Sequence, residues 1–168
     1  YERGIAISAE WDEAVTNAAI EVAQQVLPLM DQMARTKSSD TDRIQKLRAF
    51  CLSFVEYAFR RPLTSQQQAI YVDSFFSNEL NVSDSVKRVI ISTLKSPLFL
   101  YPELSRNPDS PDVDSHLIAS RLALALWDSV PDTALRNAAE RGELLDPVKV
   151  EQQIKRMLNN SRARSKLD

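Results

Sequence analysis

Apolar residues recur along this chain at helical spacing, with no alternation of the kind a strand needs. From about Ala9 to Ala34 the stripe Trp11, Val15, Ala18, Val22, Val26, Leu29 and Met33 follows a period near 3.6. It predicts an amphipathic helix with Ser8 as N-cap and these seven residues inward. Pro28 falls inside the pattern and predicts a kink or break, because proline lacks the N–H and clashes with the preceding turn. After a polar linker at Thr36–Thr41, a second helix from about Asp42 to Phe59 turns Ile44, Leu47, Cys51, Phe54, Val55 and Ala58 to one side. Arg60-Arg61-Pro62 stops it, since the residue before a proline avoids the helical region.

Thr64-Ser-Gln-Gln67 has the form of a capping box and opens a third helix reaching about Glu79, with Ala69, Val72, Phe75 and Phe76 buried. A fourth starts at Ser83 with Val86, Val89, Ile90, Thr93 and Leu94 inward. Ser96-Pro97 breaks it, and Leu98–Tyr101 packs back as a single apolar turn. Three prolines between Pro102 and Asp114 predict a loop and a subdomain boundary.

Asp114 or Ser115 then caps a fifth helix, Leu117–Asp128, whose apolar residues occupy every face and so predict burial on most sides. Pro131 and Asp132 suit the first turn of a sixth helix, which Gly142 ends. Asp146-Pro147 opens a seventh with Val150, Ile154, Met157 and Leu158 inward. The expected fold is all-α, an orthogonal helical bundle of about seven helices around a central buried helix near 117–128. Four segments divide it: an N-terminal helix and linker at 1–41, a four-helix-type segment at 42–103, a loop at 104–114, and the start of a second helical domain at 115–168. The chain begins without Met and stops in a stretch that reads like the opening of another helix, so a piece of a longer polypeptide is expected.

Composition narrows the function classes. The two glycines, Gly4 and Gly142, are too few for hairpins or a glycine-rich phosphate cradle. A net charge of -2 gives no reason to expect nucleic acid or an anionic membrane as partner. No apolar run reaches the length of a membrane span, so no membrane insertion is expected. The charge is uneven: Glu2, Glu10, Asp12, Glu13, Glu21 and Asp31 face only Arg3 before Ala34, whereas Lys155, Arg156, Arg162, Arg164 and Lys166 form an acid-free run. The plain reading is two solvated faces; the sharper one is a docking surface for an acidic segment elsewhere in a longer protein. Cys51 cannot form an internal disulfide, and its place on an apolar face predicts a small buried hydrophobe rather than a nucleophile.

Motifs for chemistry are thin. There is no Cys-x-x-Cys-His, so no c-type haem is attached within this chain, and no His-Glu-x-x-His. The one histidine, His116, stands at a helix start, where a surface or capping role outweighs metal ligation. Asp109, Asp112 and Asp114 are spaced as calcium carboxylates could be, but the turn glycine and distal glutamate of an EF-hand loop are missing. No catalytic, cofactor-binding or metal-ligating residue is assigned. Arg121 is the residue composition explains least, since a guanidinium in the most apolar helix needs a partner if buried. Asp132, in the turn after that helix, is its candidate partner in a structural ion pair; Trp127 and His116 are candidates to line a pocket.

Several segments together carry a resemblance. They are Phe54-Val-Glu-Tyr-Ala-Phe-Arg-Arg-Pro-Leu-Thr64, Leu94-Lys-Ser-Pro-Leu-Phe-Leu-Tyr101, Leu117-Ile-Ala-Ser-Arg-Leu-Ala-Leu-Ala-Leu-Trp-Asp-Ser-Val-Pro-Asp132, Gly142-Glu-Leu-Leu-Asp-Pro147 and Arg156-Met-Leu-Asn-Asn-Ser-Arg-Ala-Arg164. In order and spacing they resemble the tandem helical domains of unknown function in large planctomycete-type exported proteins, which often also carry a cytochrome c-type haem module. The resemblance spans about Ile44 to Asp168, and Arg-Arg-Pro-Leu-Thr with Leu-Trp-x-Ser-x-Pro-Asp gives it its specificity. Pro102 departs from it, standing where the family usually continues with arginine or another polar residue.

The resemblance implies a periplasmic or otherwise exported, multidomain parent, with other domains of the same polypeptide as partners and haem c elsewhere in that parent. It supplies no catalytic residue. Three readings follow: a non-catalytic structural or interaction module; part of an enzyme, redox-linked in one version, whose active site is completed by other domains and lined here by Arg121, Asp132 and Trp127; or a calcium-dependent adhesion piece built on the 109–114 loop.

Overall fold

Ser8 caps the first helix as the sequence predicts, its hydroxyl accepting the Trp11 N–H at 3.2 Å. The computed structural model describes residues 8–76, 81–101 and 114–163, and among these every regular element is helical. They fall into two compact units, one of residues 1–56 and 63–100, the other of residues 57–62 and 101–168. One division thus lies inside the helix read at Asp42–Phe59, which the sequence alone does not indicate, and another at 100/101, next to the proline-rich segment.

In the first unit, α1 (Ala9–Val26) meets Pro28 and gives way to a 3-10 turn, Leu27–Leu29, before the short α2 (Met30–Met33). The expected inward stripe is not the buried one. Ala19, Ala23 and Met30 are buried, whereas Trp11, Val22, Leu29 and Met33 are 38%, 37%, 50% and 49% exposed. α1 packs against α6 (Val82–Leu94), and alanines at the contact let two helices come closest. The apolar arc of α1 is wider than one neighbouring helix covers, so its bulkier flank is left outside.

α3 (Arg43–Phe59) contributes Leu47, Cys51 and Val55 to the core of this unit, but Ile44 at its start is exposed. The capping box at Thr64 and Gln67 is present. The helix it opens runs only as α4 (Ser65–Gln68), passes through a π turn at Ala69–Asp73, and resumes as α5 (Ser74–Phe76). Each widened turn carries one extra residue, which rotates the following side chains around the axis. Of the four residues expected inside, only Val72 is buried; Ala69 is exposed and Phe75 and Phe76 are half-buried. α6 begins one residue earlier than expected, capped by Asn81, whose side chain accepts the Ser83 N–H. Pro97 opens the single turn α7 (Pro97–Leu100).

Burial pushes the Cys51 thiol up to about 12. The native chain is therefore expected to react with an aromatic disulfide reagent near pH 8 orders of magnitude more slowly than the urea-unfolded chain. Equal labelling rates in the two states would show that Cys51 is accessible.

The second unit is built on α8 (Ser115–Trp127), α9 (Thr133–Glu140), a 3-10 turn at Glu143–Leu145 and α10 (Pro147–Leu158), together with the last turn of α3. Ala119, Ala123 and Trp127 of α8 meet Leu135, Ala138, Leu144 and Met157. α8 is less enclosed than its composition predicts: Arg121 and Ala125 are exposed, and Leu122, Leu124 and Leu126 half-buried. Pro131 does not enter α9; it is fully buried ahead of Asp132, whose extended backbone makes it the N-cap. Gly142 follows α9 at φ +70°, the left-handed region that glycine enters at little cost. Leu158, expected inside, is 44% exposed, while Met157 beside it is fully buried.

Candidate functional site

Two sites in the second unit and one in the first hold the features that bear on function. The first centres on Trp127 at the end of α8. Its indole N–H donates to the Met157 carbonyl at 3.1 Å, tying α8 to the last turn of α10. The guanidinium of Arg156 lies 5.6 Å, and that of Arg162 5.4 Å, from the Trp127 ring centroid, within cation–π range. Arg156 also forks onto Asp132, Nη1 to Oδ2 at 2.7 Å and Nη2 to Oδ1 at 3.0 Å, while Asp132 Oδ1 accepts the Leu135 N–H at 2.9 Å. Trp127, Asp132 and Arg156 therefore form one lock among α8, α9 and α10.

Asp132, which the sequence offers as a partner for Arg121, is held by Arg156. Arg121 stands on the exposed side of α8. Arg156 was legible only as part of an acid-free basic run. What assigns it is proximity in space, because the separation of α9 and α10 in sequence hides the fork.

The second site lies at the N-terminus of α8. Asp114 Oδ1 accepts the Leu117 N–H at 2.7 Å as the helix cap, and Asp114 Oδ2 accepts from Arg61 Nη2 at 2.8 Å. Ser115 Oγ accepts the buried Leu144 N–H at 3.1 Å. His116 is half-buried beside Arg61, Asp114 and Glu140. Asp109 and Asp112 of the acidic loop lie outside the described residues. No group of three or more metal-ligating side chains occurs among the described residues.

These groups give the second unit a signed pH dependence. Burial raises the pKa of Asp132, but the Arg156 bonds, the Leu135 N–H and the charges of Arg156 and Arg162 outweigh it, so the carboxyl ionises below its ordinary value. Asp114 behaves alike, burial being outweighed by the Leu117 N–H and by Arg61. Burial and then the Arg61 charge also depress His116. All three folded values lie below the unfolded ones, so each contribution is whole above the unfolded value and lost as pH falls through the folded one. Stability is expected to begin falling below the ordinary histidine value of 6.5 and to fall again below the ordinary aspartate value of 3.8. Urea midpoints measured from about pH 8 to about pH 3 check this, with His116→Gln expected to remove the upper step alone. An unchanged upper step in that variant would assign it to another group.

The third site is an apolar groove of about 280 Å³ within the first unit. Val15, Ala18 and Val22 of α1 form one wall, and Leu94 of α6 with Phe99 and Leu100 of α7 the other. Neither Trp127 nor His116, the two residues the sequence offers as pocket candidates, belongs to it. The sequence names its α1 wall but places those residues in the core.

Residues 113–168 match the family model described as PSD4, protein of unknown function (DUF1592). This match to a domain family of unknown function takes in α8, α9, α10 and every residue of the Trp127 lock. No curated protein and no solved structure matches the chain. No helix among the described residues is long and apolar enough to cross a membrane.

Proposed function

We propose that this chain is a non-catalytic helical interaction module of a larger exported bacterial protein, one that carries a cytochrome c-type haem module elsewhere. The observation that carries the docking part is the uncovered apolar flank of α1, where Trp11 is 38% and Val22 37% exposed beside a groove of about 280 Å³. Clustered large apolar side chains at a surface mark a contact site more often than scattered ones do. Export and the haem association rest on the family resemblance of the segments from Phe54 to Arg164. The polar groups of the second unit fit the same reading, because Asp114, Asp132 and Ser115 serve as caps and cross-links. The enzyme alternative needs Asp132 and Trp127 for substrate, yet Asp132 is held by Arg156, and Trp127 is buried beneath two arginines.

A photo-crosslinking residue at position 22 of the full-length parent, expressed in its own cell, tests the proposal. The expected result is a crosslink to another domain of the same polypeptide, in an exported fraction that stains for haem. A cytosolic parent without haem would overturn the export and haem parts. An uncrosslinked α1 would overturn the docking part.

A further inference from the structure

The charge around the groove selects what can fill it. From Ala9 to Val26 the first helix carries four acids and no lysine or arginine. Glu10, Glu13 and Glu21 are exposed, and Asp12 holds Lys95 at 3.4 Å. At about 100° per residue the side chains fall in a fixed order around the axis. The alanines against α6 come first, then Val15 and Val22, then Trp11 and Ala18, and beyond them Glu21 and Glu10. The apolar flank thus has an acidic rim on the side away from α6. Lys87 and Lys95 stand on α6 and at its end, and Lys95 is already the partner of Asp12.

The spacing of the flank selects the shape of the occupant. Val15, Ala18 and Val22 lie at i, i+3 and i+7 of α1, and Trp11, one turn before Val15, extends the exposed apolar line toward the start of the helix. From Trp11 to Val22 the line is about 17 Å long at 1.5 Å per residue. An amphipathic helix of about three turns matches that length with anchors at i, i+3, i+4 and i+7. A bilayer surface rich in anionic lipid is disfavoured by the glutamates at the rim.

We infer that the α1 groove binds an amphipathic helix with bulky aliphatic residues on one face and lysine or arginine on the flank that meets Glu10 and Glu21. This rests on the docking reading above and adds the chemistry of the partner. A synthetic leucine–lysine amphipathic peptide of about 18 residues, long enough to hold a helix, is the probe. Its counterpart has glutamate in place of every lysine. In fluorescence anisotropy the lysine peptide is expected to bind this chain about tenfold more tightly than the glutamate peptide, a margin that several rim pairs supply together and that salt erodes.

Val22→Asp is expected to abolish binding of the lysine peptide. Ala18→Arg, at an exposed position that fills the groove, does the same should the first variant fold poorly. Glu10→Gln with Glu21→Gln is expected to erase the preference while leaving apolar binding. Equal binding of both peptides by the unaltered chain would overturn the basic partner and leave docking standing. Binding of neither peptide would overturn both. Binding that survives Val22→Asp and Ala18→Arg would place the contact elsewhere and overturn the inference. So would self-association of the chain in sedimentation that Val22→Asp abolishes, because the occupant is then a second copy.

Discussion

Trp127→Ala is expected to destabilise the second unit by about 3–5 kcal/mol, the range for emptying a packed tryptophan site. The residue is 6% exposed and is the largest side chain of a core in which Ala119, Ala123, Ala138 and Ala139 stand beside Leu135, Leu144 and Met157. The alanines cannot reorient to fill the space, so much of the cavity remains open. The loss extends beyond volume. The Met157 carbonyl loses its donor at 3.1 Å, and Arg156 and Arg162 lose the ring face they cover. Against a total stability of about 5–15 kcal/mol for an ordinary domain, the change brings this unit close to unfolding. Trp127→Phe keeps much of the packing and loses the indole N–H, so a smaller cost of about 1–3 kcal/mol is expected. Urea denaturation followed by circular dichroism measures both, and an alanine variant with the midpoint of the parent would refute the central place of Trp127.

Two neighbouring positions in α1 are expected to respond in opposite ways. Ala23→Asp places a carboxylate where the alanine is fully buried against α6, with no cation provided. Burying an unpaired charge costs several kcal/mol, or forces the group to take up a proton, and either outcome unfolds or loosens the first unit near neutral pH. Val22→Asp, one residue earlier and 37% exposed, is expected to change stability by about 1 kcal/mol or less. Its carboxylate stays in water and removes apolar surface from the flank. Thermal melts of the two variants separate the two faces of α1. Equal destabilisation would mean that the buried face is the stripe read from the sequence.

That contrast marks how far local reading goes. The caps at Ser8, Thr64, Asp114 and Asp146 were all legible, because a side chain and an amide two or three residues away settle each of them. So was the break at Pro28, which follows from a missing N–H. The π turn at Ala69–Asp73 left no comparable mark, and it displaced the burial of Phe75 and Phe76. Of the candidate sites, Trp127 and Asp132 were visible as residues, but their joint partner Arg156 was visible only as one member of a basic run. Arg121 stood out for its apolar surroundings, but composition does not show that its side of α8 is exposed. The groove was hidden by its own composition, since apolar stripes in helices are core more often than surface.

The sequence by itself determined that this chain is helical, where most helices begin and stop, and that its last third matches a domain family of unknown function. Those properties depend on contacts a few residues apart. Only the tertiary structure decided which arc of α1 is buried, which arginine Asp132 holds, and that α3 passes from one compact unit into the other. Each depends on which elements meet in space: a helical period gives the width of an apolar arc, and the neighbours that pack against it determine how much of that arc stays in water.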